Sequence, residues 1–254
     1  MHPTARAISS SARKLERPTH HFRYFDLALM VFVVVLLISN LIGQKICAVG
    51  PFRISGAQLL FPITYIFGDI FTEVYGYAGS RRAIWMGFFA SALMAAFGMI
   101  VVALPPAPEW PHQAAFETVF SFIPRMVAAS LAAYWAGEFA NSYVMAKMKV
   151  WSGGKHLWMR TIGSTAVGQL VDSAVIMTLA FAGRASFGTI VNLIISGYLG
   201  KVLYEAAMTP VTYAVVNSLK RAENVDVYDV ATDFSPFATG TEGEEFRPVA
   251  SHSK

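Results

Sequence analysis

Residues 25–43 are FDLALMVFVVVLLISNLIG, an apolar run in which Asp26 is the one charged side chain. A helix of about 20 predominantly apolar residues crosses a hydrocarbon core of roughly 30 Å. Similar runs recur along the chain, which is 55% hydrophobic and only 14% charged, whereas a soluble domain carries about 25% charged residues. The sequence therefore predicts membrane-spanning helices rather than a soluble core.

The apolar runs predict an all-α polytopic bundle of about six transmembrane helices. The fourth and sixth are the longest, well beyond about 20 residues, and should tilt, kink or project into water. Pro124 and Pro210 are candidate kink sites, because proline lacks the backbone donor that a helix interior uses. The predicted spans are Phe25–Gly43, Ala57–Tyr75, Ala83–Leu104, Thr118–Ala146, Met159–Ala182 and Thr189–Leu219.

Lysine and arginine are concentrated on one side of this predicted topology, and the other side carries only Lys45, Arg53 and Arg184. The positive-inside rule makes the richer side cytoplasmic, and an even number of spans places both termini there. The rich side collects Arg6, Arg13, Lys14, Arg17, Arg23, Arg81, Arg82, Lys147, Lys149, Lys155, Arg160, Lys220 and Arg221.

Three regions follow from this topology. Residues 1–24 are a basic cytoplasmic tail predicted to be disordered, residues 25–221 are the transmembrane domain, and residues 222–254 are a polar, acidic cytoplasmic tail. The acidic tail is expected to be disordered beyond about Asp233, because it has few apolar residues to bury. A cleaved signal peptide is the alternative interpretation of the N-terminus, but the apolar run exceeds the usual length of about 7–15 residues.

Several classes of protein are disfavoured by what the sequence lacks. A single cysteine, Cys47, excludes a disulfide framework and a cysteine metal cluster within one chain. No histidine lies inside an apolar run, so we expect no buried histidine metal site and no cofactor. The P-loop, H-E-x-x-H and G-x-S-x-G motifs are absent, which argues against an ATPase or an enzyme. Because the positive charge flanks apolar segments, it is a topology signal and no nucleic-acid partner is predicted.

Polar side chains nevertheless occur within the predicted spans, at positions i, i+3 and i+4 of four helices. This spacing places each set on one face of its helix. A charge at the bilayer centre costs at least about 2.5–3.5 kcal/mol, so such faces turn toward a partner or a cavity. The four polar faces are Asp69-Thr72-Glu73, Glu138-Asn141-Ser142, Gln169-Asp172-Ser173 and Lys201-Tyr204-Glu205.

One explanation is that these groups only pair with one another, as Lys201 could with Glu205, and that Glu73 caps the membrane edge. For Arg125 and Glu138, a structural ion pair explains the charge as well as a role in binding does. The acids outnumber the bases, however, so some carboxylates must be protonated, solvated or available to a ligand. We expect one central polar cavity that binds the transported molecule, lined by Asp69, Glu73, Asn141, Gln169, Asp172, Lys201 and Glu205.

The sequence also resembles a known family. The resemblance is carried by residues 61–76 (FPITYIFGDIFTEVYG) with Arg81-Arg82, residues 137–142 (GEFANS), residues 168–173 (GQLVDS) and residues 201–205 (KVLYE). In this order they resemble the queuosine precursor transporter family, also called the vitamin uptake transporter-like family. The resemblance covers roughly residues 25–230.

The resemblance implies a multi-pass protein of the bacterial inner membrane that imports 7-cyano-7-deazaguanine and 7-aminomethyl-7-deazaguanine for tRNA modification. A carboxylate can accept both the ring N–H and the exocyclic amine of a deazaguanine. Asp172 is the favoured acid, because it lies mid-span with Gln169 one turn away. One alternative is a substrate-binding membrane subunit for a vitamin-like molecule that needs a separate energising module. The other alternative is a membrane scaffold with structural ion pairs. The coupling ion and the oligomeric state stay open.

Overall fold

The computed structural model describes residues 22–42, 45–49, 52–55, 60–120, 124–181, 183, 186–238, 240 and 243–249. Most of the predicted N-terminal tail, residues 1–21, lies outside this part of the chain. The described helices are α1 (Phe25–Ile42), α2 (Phe61–Ala103), α3 (Gln113–Phe120), α4 (Pro124–Ser152), α5 (Leu157–Phe181) and α6 (Phe187–Glu223). The described strands are β1 (Ile46–Val49), β2 (Phe52–Ser55), β3 (Asp226–Asp229) and β4 (Glu244–Arg247).

The protein is mainly helical, as predicted, and its apolar helices are those of a membrane protein. The segments Phe25–Ile42, Ile66–Ala103 and Leu157–Leu179 are long and apolar enough to cross a bilayer. The described parts of the predicted second and third spans lie almost entirely within α2. Helices α4 and α6 coincide with much of the predicted fourth and sixth spans, and the total of six spans stays a prediction.

The chain reverses direction within α2, at Gly76. This residue has φ 75° and ψ 177°, which are not helical. The ring of Phe32 lies 5.5 Å from that of Phe71, and it would also lie 3.2 Å from a Cβ atom added at Gly87. Positions 71 and 87 would be about 24 Å apart in a straight helix. Residues 61–75 and 77–103 are therefore two antiparallel arms, which accounts for two predicted spans.

The predicted fourth span is wrong at its beginning. Helix α3 is separate and short, and α4 begins at Pro124. Proline is well suited to the first turn of a helix, where its missing N–H would have no intrahelical partner. Pro124 is thus a helix start rather than a kink, whereas Pro210 does lie inside α6.

Helices α4 and α5 approach each other closely through two glycines. A Cβ atom added at Gly137 would lie 2.8 Å from the Cβ of Asp172. A Cβ atom added at Gly168 would lie 2.7 Å from the Cβ of Asn141. Small residues let helix backbones approach in a membrane, where packing is a main source of association. The two glycines therefore bring Asn141 and Asp172 to the same interhelical space.

The described residues of the C-terminal segment, 226–238, 240 and 243–249, fold against α2, so the expectation of disorder beyond Asp233 is wrong for these residues. Strands β3 and β4 form an antiparallel hairpin. The backbone N–H of Tyr77 donates to the carboxylate of Asp229 at 3.1 and 3.2 Å, and that of Ala78 donates to Oε1 of Glu244 at 3.1 Å. These donors belong to the first turn of the second arm, which has no intrahelical acceptors for them. The tail acids thus cap the helix that begins after Gly76.

We expect Gly76→Ala to destabilise the protein more than Gly153→Ala does. Both glycines have positive φ, 75° and 58°. At Gly76 a Cβ atom would also lie 2.7 Å from Oε1 of Glu244 and 2.8 Å from Val227, whereas nothing lies within 4 Å at Gly153. Backbone strain of this kind costs about 1–3 kcal/mol. The melting temperature of the purified protein should fall further for Gly76→Ala than for Gly153→Ala. Equal falls would contradict the close packing around Gly76.

The docking of the hairpin should depend on pH through Glu244. Burial raises the pKa of this carboxyl to about 7, and the nearby Asp229 carboxylate adds to the rise. The docked tail therefore binds more protons than the released tail between about pH 4.5 and about pH 7. Docking should be strongest at low pH and weaken as the pH rises through about 7.

Hydrogen exchange of residues 244–247, corrected for intrinsic rates, measures this effect. Protection should fall between about pH 5 and about pH 7 in the parent protein, level off above that range, and change less in Glu244→Gln. The amide side chain of glutamine keeps the acceptor for the Ala78 N–H and removes the titration. The same fall in both proteins would show that another group is responsible.

Candidate functional site

A polar cavity of about 270 Å³ lies between α1, the first arm of α2, α4 and α5. Its lining includes two carboxylates, three side-chain amides, five hydroxyls and a few apolar groups. The acids are Glu138 and Asp172, the amides are Asn40, Asn141 and Gln169, the hydroxyls are Ser39, Thr64, Ser130, Tyr134 and Thr165, and the apolar side chains are Phe32, Leu36 and Ile176. Pockets for drug-sized ligands occupy about 300–1,000 Å³, so this one suits a smaller solute.

The helical period explains how α4 and α5 present these groups together. Glu138 and Asn141 are three residues apart on α4, and Gln169 and Asp172 are three residues apart on α5, so each pair shares a face. Gly68 on α2 leaves room opposite them. A Cβ atom added there would lie 3.3 Å from Oε2 of Glu138 and 3.7 Å from Nδ2 of Asn141.

Two amide oxygens in this region are buried without a hydrogen-bond donor among the described residues. They are Oδ1 of Asn141 and Oε1 of Gln169. A buried acceptor that lacks a donor costs about 1–3 kcal/mol, so it is normally satisfied by water or a ligand. Because both residues line the cavity, the cavity offers acceptors to the N–H groups of a bound molecule.

Three of the seven predicted site residues, Asn141, Gln169 and Asp172, line this cavity. Asp69 is buried, at 1% exposure, next to Gly68 on α2, but it does not belong to the lining. The side chains of Lys201 and Glu205 lie outside the described residues. The structure thus brings together the predicted groups of α4 and α5 and does not address those of α6.

Among the acids and amides that line the cavity, Glu138 and Asn40 are absent from the predicted site. Glu138 lies on the same polar face as Asn141, so the spacing alone could have included it. Asn40 lies near the end of α1, where its amide donates to the Ser91 hydroxyl at 3.3 Å. A single amide at the end of an apolar span is a weak signal, since it could equally face the aqueous boundary.

Glu73 lies in a different place, so the expectation that it lines the same cavity is wrong. Its side chain is completely buried, and its Oε1 lies 2.6 Å from Nη2 of Arg160 and 2.6 Å from Nζ of Lys220. Nζ of Lys149 is 3.7 Å from the same oxygen. A carboxylate with this many cations around it is fully compensated.

The fifth charged residue of this group is Asp226 on β3. Its Oδ1 lies 2.7 Å from Nζ of Lys149 and 2.8 Å from Nζ of Lys220. We call Glu73, Lys149, Arg160, Lys220 and Asp226 the Glu73 cluster. Within the part of the chain that the structure describes, no group of three His, Cys, Asp or Glu residues is arranged to hold a metal ion.

Apolar helices around a polar cavity of this size define a membrane transport protein for small molecules. Comparison with known proteins supports the same class of protein. The family described as "Putative vitamin uptake transporter" matches residues 55–215, which is most of the helical region, and the chain belongs to this family. Its members are transporters, so this multi-pass membrane protein is a transport protein and not an enzyme.

A curated relative, "Probable queuosine precursor transporter" of Bacillus subtilis (strain 168), is 30% identical over 167 residues. The match covers 65% of this chain and 73% of that protein. No solved structure matches the chain.

Proposed function

We propose that this chain imports 7-deazaguanine precursors of queuosine, 7-cyano-7-deazaguanine and 7-aminomethyl-7-deazaguanine, across a bacterial inner membrane. The observation that supports this most strongly is the cavity of about 270 Å³, which is lined by the carboxylates of Glu138 and Asp172. It also contains the side chains of Asn141 and Gln169, whose amide oxygens lack a donor among the described residues. The name of the Bacillus subtilis relative supports the same substrate class.

The chemistry of the cavity complements a deazaguanine. The ring N–H and the exocyclic amine of the base point in the same direction, so one carboxylate can accept both hydrogen bonds. The base carbonyl accepts from a side-chain amide, and its flat ring packs against an aromatic wall such as Phe32 or Tyr134. Asp172 takes the role of the acid that binds the guanine-like edge, with Gln169 beside it on α5.

The second acid has a role that depends on the substrate. The aminomethyl group lies on the opposite side of the base from the guanine-like edge and is cationic at neutral pH, whereas the cyano group is neutral. In a site that is shielded from bulk water, a carboxylate stabilises a cation far better than an amide does. Glu138 on α4 is the acid that pairs with the aminomethyl group in this arrangement.

A bacterial strain that cannot make queuosine precursors tests the proposed function. Fed either precursor, it should contain queuosine in its tRNA when it expresses this chain and little when it carries an empty vector. Queuosine is measured by mass spectrometry of digested tRNA. If neither precursor restores queuosine although the chain accumulates in the membrane, the proposed substrates are wrong.

Two cavity variants test the roles of the acids. Asp172→Asn should lower uptake of both precursors by about ten- to a hundredfold, since a buried hydrogen bond to a charged group is worth about 1.5–3 kcal/mol. Glu138→Gln should lower uptake of the aminomethyl compound by about tenfold more than that of the cyano compound. Initial uptake rates at matched protein abundance measure both effects.

The matched control is Asp26→Asn, because Asp26 is an exposed acid outside the cavity whose side chain is 83% accessible. It should transport both precursors at the parent rate. If Asp172→Asn also does so, Asp172 does not bind substrate. Equal losses for both precursors in Glu138→Gln would remove the proposed pairing with the aminomethyl group.

A further inference from the structure

One buried carboxylate joins four helices at the end of the bundle that carries Phe22, Gly76 and the β3–β4 hairpin, here called the terminal end. Glu73 comes from the first arm of α2, and its partners Lys149, Arg160 and Lys220 come from α4, α5 and α6. Lys149 and Arg160 are each only 1% exposed. Few side chains of this length and charge are buried so completely unless they are paired.

The Glu73 cluster lies between the polar cavity and the terminal end. Glu73 is five residues beyond the cavity residue Gly68, in the direction of Gly76, and Arg160 is five residues before the cavity residue Thr165. Each step corresponds to about 7–8 Å along a helix axis. Lys149 lies about 12 Å beyond Asn141 on α4 by the same rise per residue. Three helices therefore place the cluster on the same side of the cavity.

Further contacts close the terminal end around the cluster. The amine of Lys149 donates to the backbone carbonyl of Glu73 at 2.7 Å, which ties α4 to the α2 backbone just before the reversal. Asp226 of β3 adds its ion pairs with Lys149 and Lys220 from the outer side. A polar solute that moved along the helix axes from the cavity toward the terminal end would therefore meet these side chains.

We propose that the Glu73 cluster is the gate at the terminal end, closed in this structure, and that it opens when Glu73 separates from Arg160 and Lys220. This inference rests on the proposed transport function, because it assigns the cluster a place in the transport cycle. Glu73 is then a gating residue that does not bind the substrate.

Charged groups are well suited to a gate for a physical reason. An apolar seal of the same area would have to be exposed to water each time the gate opened, at a free-energy cost proportional to its area. Buried ion pairs lose hydration when the gate closes and regain it when the gate opens, so their net contribution to the closed state is small. The two states can therefore lie close in free energy, as a transport cycle requires.

The charge balance of the cluster predicts what removal of Glu73 does. Glu73 and Asp226 carry negative charge, and Lys149, Arg160 and Lys220 carry positive charge. In Glu73→Gln three cations are left with one acid, so their mutual repulsion favours the open gate. Access to the cavity from the terminal end should increase.

Cysteine labelling measures this access without any substrate. In a Cys47→Ser background, Thr165→Cys places a thiol on the cavity wall near the cluster. A membrane-impermeant maleimide is added to vesicles from the side that carries the β3–β4 hairpin. Glu73→Gln should raise the labelling rate by at least about tenfold, which corresponds to a tenfold larger open population.

Two further variants make the labelling result decisive. Asp26→Asn removes an exposed acid that pairs with Arg82 at the same end of the molecule, and it should label at the parent rate. Asp226→Asn removes the second acid of the cluster, whose side chain is 21% exposed, and it should raise labelling about threefold. If Glu73→Gln does not accumulate in the membrane, the labelling rate of Asp226→Asn alone tests the gate. Parent-like labelling of the cluster variants would overturn the gate.

Substrate measurements separate this inference from the proposed function. Glu73→Gln should bind 7-cyano-7-deazaguanine within about threefold of the parent affinity while its uptake falls at least about tenfold. Lost binding together with unchanged labelling would make Glu73 a binding residue and overturn the gate. If the parent neither binds nor transports either precursor, the proposed function fails, whereas the labelling comparison still tests the gate.

Discussion

The closed arrangement of the helices depends on the ion pairs of one carboxylate, that of Glu73. It is completely buried, and side chains from α4, α5 and α6 compensate its charge. Removing one partner of a buried ion pair costs about 3–5 kcal/mol, because the other charge then stays buried without compensation. The α2 reversal at Gly76 places Glu73 where these cations can reach it. The tail contributes Asp226 to the same cluster and caps the second arm through Asp229 and Glu244.

The polar residues within the helices are divided between two layers with different chemistry. In the cavity, acids and amides face open volume, and the oxygens of Asn141 and Gln169 have no donor among the described residues. In the cluster, short ion pairs fill the space. A layer that binds a solute needs groups available to it, whereas a layer that closes a path needs groups that satisfy one another. We therefore propose the cavity, with its two amide oxygens that lack donors, as the binding layer and the Glu73 cluster as the layer that closes one end.

The sequence predicted helical membrane segments and the polar faces of α4 and α5, because hydropathy and the helical period are local properties. It misplaced Glu73 because two of its partners, Lys149 and Lys220, lie just outside the predicted spans and the third, Arg160, lies at the beginning of one. Positive charges at span ends predict topology rather than buried ion pairs, yet α4 continues to Ser152 and α5 begins at Leu157, so Lys149 and Arg160 are helical and buried. The role of the tail acids was also invisible, since Asp229 caps an amide 152 residues earlier in the chain. Long-range contacts of this kind have no local signal.

We propose that this chain alone carries a 7-deazaguanine across a membrane through the polar cavity. The decisive experiment is uptake of radiolabelled 7-cyano-7-deazaguanine into proteoliposomes that contain only the purified chain. We expect saturable uptake at least about tenfold faster than in protein-free liposomes, lowered about ten- to a hundredfold by Asp172→Asn. Uptake no faster than in protein-free liposomes, from a folded chain that still binds the compound, would contradict a self-sufficient carrier and indicate a binding subunit that needs an energising module.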